Sequence, residues 1–340
     1  MKFLAFVLAI LLWLILLPII AWAFGALWFD AGSFGHGCAF GFLVVGLCLV
    51  VFVPGKILKP IGVMGLCGLV FAWWVTLKPS QDRNWQPDVA RTAWAEIDGD
   101  LATIHNVRNF DYLADGRVVE RWETRQVRLS SLTGLDLAIN YWGSEWIAHP
   151  LLSFQFSDAP PVCFSIEIRK ESGESYSALA GLYRQYELIA IAADERDVVR
   201  LRTNYRPGET VYLYRTTLDA AAVRERFLEY LASLNLLHAK PLWYHAITTN
   251  CTTSIRAQHP GEHRNPWDWR MLLNGKMDKM FFEQGTLQTE GLPFRSLRSQ
   301  ALINSVAQAA DRDPQFSKTI REGLAGFPPM ARTPNPPQPH

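Results

Sequence analysis

The chain has 340 residues, 49% of them hydrophobic, and 33 Lys+Arg stand against 32 Asp+Glu. A net charge of +1 excludes a strongly basic nucleic-acid binder, and the apolar share excludes an acidic disordered chain. Residues 1–77 carry only Lys2, Asp30, Lys56 and Lys59, so a membrane part precedes a water-soluble one. Three apolar runs, about 3–28, 34–53 and 61–77, each have the length needed to cross roughly 30 Å of hydrocarbon. Lys2, Lys56 and Lys59 against a first connection without Lys or Arg place the N-terminus and the 54–60 loop inside. Everything after Leu77 is then outside. Ala21-Trp22-Ala23 has the form of a signal-peptidase site, although the apolar stretch before it is long for a signal peptide. With the first helix cut, the other two still deliver the domain outside. Trp73, Trp74 and Trp85 read as an interfacial anchor, with packing between helices as the alternative for Trp73 and Trp74.

Residues 78–99 are polar and Pro-containing and read as a linker. From 100 onward, β-branched and aromatic residues between turn signals predict strands at 102–112, 118–129, 135–139, 147–156 and 162–169, then at 186–192 and 210–214. In 162–169, Val162, Phe164, Ile166 and Ile168 alternate with Cys163, Ser165, Glu167 and Arg169, a strand with one apolar and one polar face. Asp219 is placed to cap a helix running to about Leu237. Further helical stretches follow Thr248-Thr249-Asn250 and begin at Pro266, and a Pro-rich tail covers 327–340. The fold class is α+β over 100–326, with an early sheet and late helices.

Asn250-Cys251-Thr252-Thr253-Ser254 places a cysteine directly after helix-capping residues. There the helix dipole and free N–H groups favour a thiolate and supply oxyanion donors. A space-filling buried cysteine is the alternative, and the same triplet fits an N-glycosylation sequon. His149, at a strand start, is the candidate base, with Ser165 and Glu167 on a following strand to orient it; His245 is its rival. His105 reads as a strand residue on a solvated face. His259 and His263 are separated by Pro260-Gly261, which breaks the helix a zinc pair would need, so neither a metal nor a cofactor is expected. Cys163 and Cys251, the two cysteines outside the membrane, would either pair or stay free because one is buried or catalytic. The charged run 193–202 reads as a solvated helix face laced by i,i+4 pairs, or as a clamp for phospholipid headgroups through Arg196 and Arg200. Leu242, Trp243 and Tyr244 favour an acyl chain near Cys251 over a polar glycopeptide.

Several segments, in this order, resemble the Lnb N-terminal periplasmic domain family. They are Trp85-Gln86-Pro87-Asp88-Val89-Ala90, Asn106-Val107-Arg108-Asn109-Phe110-Asp111-Tyr112 and His149-Pro150-Leu151-Leu152-Ser153-Phe154. Ser165-Ile166-Glu167-Ile168-Arg169-Lys170, Ala193-Asp194-Glu195-Arg196-Asp197 and Asn250-Cys251-Thr252-Thr253 complete the set, which spans roughly 80–325. The resemblance implies a circularly permuted papain-like (NlpC/P60-like) fold behind three transmembrane helices. It also implies transfer of an acyl chain from a membrane phospholipid to the N-terminal amine of a lipoprotein, at the periplasmic face of the bacterial inner membrane. Carried over, Cys251 is the nucleophile and His149 the base, with Glu167 or Ser165 orienting the ring. Asn250, Thr252, Tyr244, Arg196 and Arg200 are the candidate substrate-binding residues. Pro150, directly after the histidine, departs from the expected pattern. An envelope cysteine hydrolase acting on peptides or amides is the alternative, and a Cys163–Cys251 disulfide would point to a binding module without catalysis.

Overall fold

A computed structural model describes residues 2–248 and 274–327. The chain divides into two compact units. One comprises Met1–Asn84, Ile168–Leu188 and Pro241–Thr249; the other comprises Trp85–Glu167, Ile189–Lys240 and Asn250–His340.

The first unit holds helices α1 (Lys2–Asp30), α2 (Gly35–Phe52) and α3 (Leu58–Thr76), all long and apolar enough to cross a membrane. The third begins before the expected 61, because Lys59 and Pro60 fall in its first turn, where proline costs no hydrogen bond. Ala23, Ala26, Phe42, Val63, Cys67 and Val70 form the buried seam of the bundle. Trp73 and Trp74 pack against this seam, and Trp74 Nε1 donates to Asp30 Oδ2 at 2.7 Å. Arg184 caps the end of α3: Nη1 donates to the carbonyls of Trp74 (2.6 Å) and Leu77 (3.0 Å). The Tyr183 hydroxyl lies over Gly25, where an added Cβ would force the end of that ring to shift.

In the second unit the early strands are β1 (Trp94–Asp98), β2 (Leu101–Arg108), β3 (Asp111–Tyr112), β4 (Val118–Val119) and β5 (Trp122–Arg128). They are followed by β6 (Leu132–Trp142), β7 (Ala148–Phe156), β8 (Val162–Arg169), β9 (Glu187–Asp194) and β10 (Glu209–Arg215). The main sheet runs β1-β2-β9-β8-β7-β6-β10, with β5 added to β2, while β3 and β4 form a separate hairpin. Helix α4 (Glu195–Arg200) follows β9 directly and passes into a π-helical turn, Leu201–Tyr205. Helix α5 (Ala220–Ala239) is capped as expected by Asp219, whose side chain accepts from Ala222 N at 2.8 Å. It covers one sheet face, where Phe227 and Tyr230 pack on Phe154 and Phe164. On the other face lies a core that includes Leu151, Cys163, Ile191, Val198, Ile303 and Phe316.

Three expectations are corrected. Residues 78–99 contain β1 and a 3-10 turn at Pro87–Val89, and Trp85, Val89, Ala93 and Ala95 are buried. Trp85 and Val89 enter the core of the second unit, so Trp85 is no interfacial anchor. The polar face of β8 is not solvated: Cys163 and Ser165 are buried and Glu167 is half-buried. Nor is the run 193–202 a solvated face. Glu195, Asp197, Arg200 and Arg202 are all buried, because each meets an opposite charge contributed by another element.

Candidate active site

His149 sits near the start of β7, opposite Asn140 of β6. The next residue, Pro150, has no N–H to give, and the β7–β8 ladder stops at Leu152↔Phe164. Beyond that point side chains replace the ladder. His149 Nε2 lies 2.7 Å from Ser165 Oγ and 3.2 Å from Glu167 Oε1. Ser165 Oγ in turn donates to Glu167 Oε1 at 2.6 Å. Residues 165 and 167 share one face of β8 because strand side chains alternate, which is why a Ser-x-Glu spacing can serve a single ring.

Arg202 completes the cluster from the π-helical turn after α4. Its Nη2 donates to Glu167 Oε1 at 2.7 Å, and its Nη1 is held by the Val198 carbonyl at 2.9 Å. Burial by itself would raise the pKa of the Glu167 carboxyl. The charges of His149 and Arg202, with hydrogen bonds from His149 and Ser165, outweigh that and hold it well below the usual carboxylate range. The carboxylate is therefore ionised at neutral pH. It can receive a ring N–H and stabilise an imidazolium, and Nδ1 is then the nitrogen through which a proton would be exchanged.

The segment leading into His149 exposes three large apolar side chains beside the polar Ser144 and Glu145. Trp142, Trp146 and Ile147 are exposed in the β6–β7 hairpin, which turns at Gly143 with φ +66°, and Lys276 Nζ lies 4.7 Å from the Trp146 ring centre.

Other candidate residues are placed elsewhere. Arg200 is fully buried, ion-paired with Asp111 and bonded to the Asp311 carbonyl at 2.9 Å, so it is no headgroup clamp. Arg196 is half-buried beside the same Asp111. Tyr244 belongs to the first unit, where it is buried against Gly181 and donates its backbone N–H to Tyr186 O at 2.9 Å. The rival base His245 accepts at Nδ1 from Ile247 N (3.3 Å) and Thr248 N (3.2 Å), the bonding of a turn residue. His105 stacks on Trp94 with 3.9 Å between ring centres. Cys163 carries a free thiol, pushed well above the ordinary thiol range by burial and by the nearby Glu195 carboxylate. Cys251, Asn250 and Thr252, like His259 and His263, lie outside the described residues.

Arg202 is absent from the sequence-derived set. Its only trace is its place at the end of the charged run, which reads equally well as a surface helix. The paired charges around α4 are equally hidden. Asp197 is gripped by Arg108 Nε (2.9 Å) and Nη2 (3.0 Å), Tyr112 Oη (3.0 Å) and Phe110 N (2.8 Å).

Residues 119–275 match the family described as the Lnb N-terminal periplasmic domain. The matched region follows three apolar helices long enough to cross a membrane. It includes His149, Ser165, Glu167, Arg202 and Cys251, but not the motifs at 85–90 and 106–112. Neither the curated proteins nor the solved structures contain a match.

Proposed function

We propose that the protein is a membrane-anchored thiol acyltransferase, in which Cys251 is the nucleophile and His149 the base. Its three helices would hold a permuted papain-like domain at the periplasmic face of the inner membrane. The observation that carries this reading is the ring of His149, oriented through Nε2 by Ser165 and by an ionised Glu167 that Arg202 in turn holds. A core histidine kept only for packing needs no such support, whereas a base that must become an imidazolium does.

His149 Nδ1 takes the Cys251 thiol proton, and the thiolate attacks the carbonyl carbon of a phospholipid ester. That attack forms the C–S bond; the tetrahedral intermediate then collapses to the thioester, breaking the ester C–O bond, and the leaving lysophospholipid oxygen takes the proton back from His149. The neutral amine of the acceptor then attacks the thioester. His149 receives a proton from that nitrogen and returns one to the departing sulfur, so an amide is formed and the thiol regenerated. N–H groups beside Cys251 would stabilise both oxyanions. The exposed Trp142, Trp146 and Ile147 next to His149 suit a substrate with an apolar chain, and the match over 119–275 supports a lipoprotein as acceptor. Among the described residues Cys163 is a free thiol.

The test supplies purified protein with a phospholipid carrying a labelled acyl chain and a peptide bearing an N-terminal diacylglyceryl-cysteine. The label is expected on the peptide amine in wild type and not in Cys251→Ser or His149→Ala. Label released only as free fatty acid would mean that water and not an amine takes the acyl group, and no labelled product in wild type would favour the peptide or amide hydrolase instead.

A further inference from the structure

The first unit contains a cavity of about 480 Å³ whose walls come from two places in the chain. Trp28, Phe29 and Asp30 at the end of α1 and His36 at the start of α2 form one wall; Arg83, Glu171, Glu174, Arg184 and Tyr186 form much of the other. Its volume falls in the range of small-molecule sites, roughly 300–1,000 Å³. Its position is set by the helices. The end of α1, the start of α2 and the end of α3 lie together, since Trp74 reaches Asp30 and Arg184 caps α3, and this is the level where membrane spans meet the headgroup layer.

The lining is charged and already braced. Glu174 accepts from Glu171 N at 2.7 Å and from the Gln185 side chain. Arg83 lies between two carboxylates, Glu171 at 2.9 Å and Glu187 at 3.0 Å, so its charge is already neutralised. Arg184 differs: its guanidinium donates to the carbonyl oxygens of Trp74 and Leu77 and stacks 3.8 Å from the Trp74 ring centre, while the Asp30 carboxylate accepts from its backbone N–H at 3.1 Å. Asp30, Glu171 and Glu174 outnumber the two arginines of the lining. A purely anionic guest is therefore repelled, while a guest with a cationic end and an anionic end is matched. The aromatic wall is built for the same level: Trp28 and His36 meet at 3.9 Å with their rings tilted by 33°, and Tyr186 is fixed through its hydroxyl, which donates to Ser175 O (2.8 Å) and accepts from Ser177 N (3.0 Å).

We infer that this cavity binds the zwitterionic, ammonium-bearing headgroup of a phospholipid. The phosphate is met by Arg184, whose guanidinium is bonded to carbonyl oxygens and not to a carboxylate, Asp30 lying on its backbone N–H, and the ammonium by Glu171 and Glu174. The inference does not rest on the acyl-transfer reading, because no residue of the His149 cluster takes part.

The experiment is native mass spectrometry of the full chain in detergent, with phosphatidylethanolamine and phosphatidylglycerol supplied in equal amounts. Wild type is expected to retain the ethanolamine lipid by about tenfold or more, the scale of a charge-assisted hydrogen bond. Glu171→Gln with Glu174→Gln is expected to lose that preference, and Ser175→Trp, which fills the cavity from an exposed lining position, to lose retention. Circular dichroism identifies any variant that fails to fold, and the other variant then decides. Competition by water-soluble glycerophosphoethanolamine separates the headgroup from the acyl chains as the bound part and is expected to displace the lipid. Equal retention of the two lipids by wild type, unchanged preference in the glutamine variant, or no displacement by the soluble headgroup overturns the inference. Labelled-acyl transfer is measured on the same samples, so failure of the headgroup site and failure of the catalytic proposal are read separately.

Discussion

At His149 the nitrogen facing Ser165 and Glu167 is Nε2, and this fixes what Glu167 contributes. Replacing Glu167 by Gln keeps a hydrogen-bonding group but removes the charge that favours an imidazolium. One charge-assisted hydrogen bond is worth about 1.5–3 kcal/mol, so Cys251 capture by iodoacetamide at neutral pH is expected to slow roughly 10–100-fold. Its pH profile should move upward, which a merely structural glutamate would not cause. Glu187, in the first unit, behaves in the opposite sense to Glu167. Burial, aided by Glu171 and only partly countered by Arg83, pushes its carboxyl from 4.5 up to about 7. A raised folded value means that its contribution to stability is complete below about 4.5 and is lost as pH rises through about 7. Thermal melts should therefore show Glu187→Gln gaining on wild type between pH 5 and pH 8; a constant difference would contradict the assignment.

Among the elements, α4 is the hub, since Asp197 and Arg200 both reach back to the 108–112 segment. Asp197→Ala would strand Arg108 as a buried unpaired cation, and such losses cost about 3–5 kcal/mol. Urea unfolding should show this, while a cost under about 1 kcal/mol, that of an exposed pair, would contradict it. This element also shows what can be read from sequence. The alternation of 162–169 correctly groups Cys163, Ser165 and Glu167 on one face, and the strand expected at 147–156 is β7, with His149 near its start, because period-two patterning is local. Whether a charged run faces water or a partner is not local. Arg202 and Glu167 are 35 positions apart, and Asp197 and Arg108 are 89 apart. No spacing rule within 193–202 carries that information. The linker reading of 78–99 fails for a related reason: short polar residues surround Trp85 and Val89, whose burial depends on distant core residues.

On the scale of the whole molecule, a bundle of three apolar helices accompanies a unit whose sheet carries a braced histidine. Anchoring at the lipid surface raises the effective concentration of an acyl donor, which suits a two-step reaction through a thioester. Intact mass of the purified chain incubated with phospholipid addresses that intermediate directly. An acyl-sized adduct on wild type, removed by hydroxylamine and absent from Cys251→Ser and His149→Ala, is the expected result. No adduct on wild type while Cys251 remains open to alkylation, or an adduct that persists in Cys251→Ser, would contradict the account.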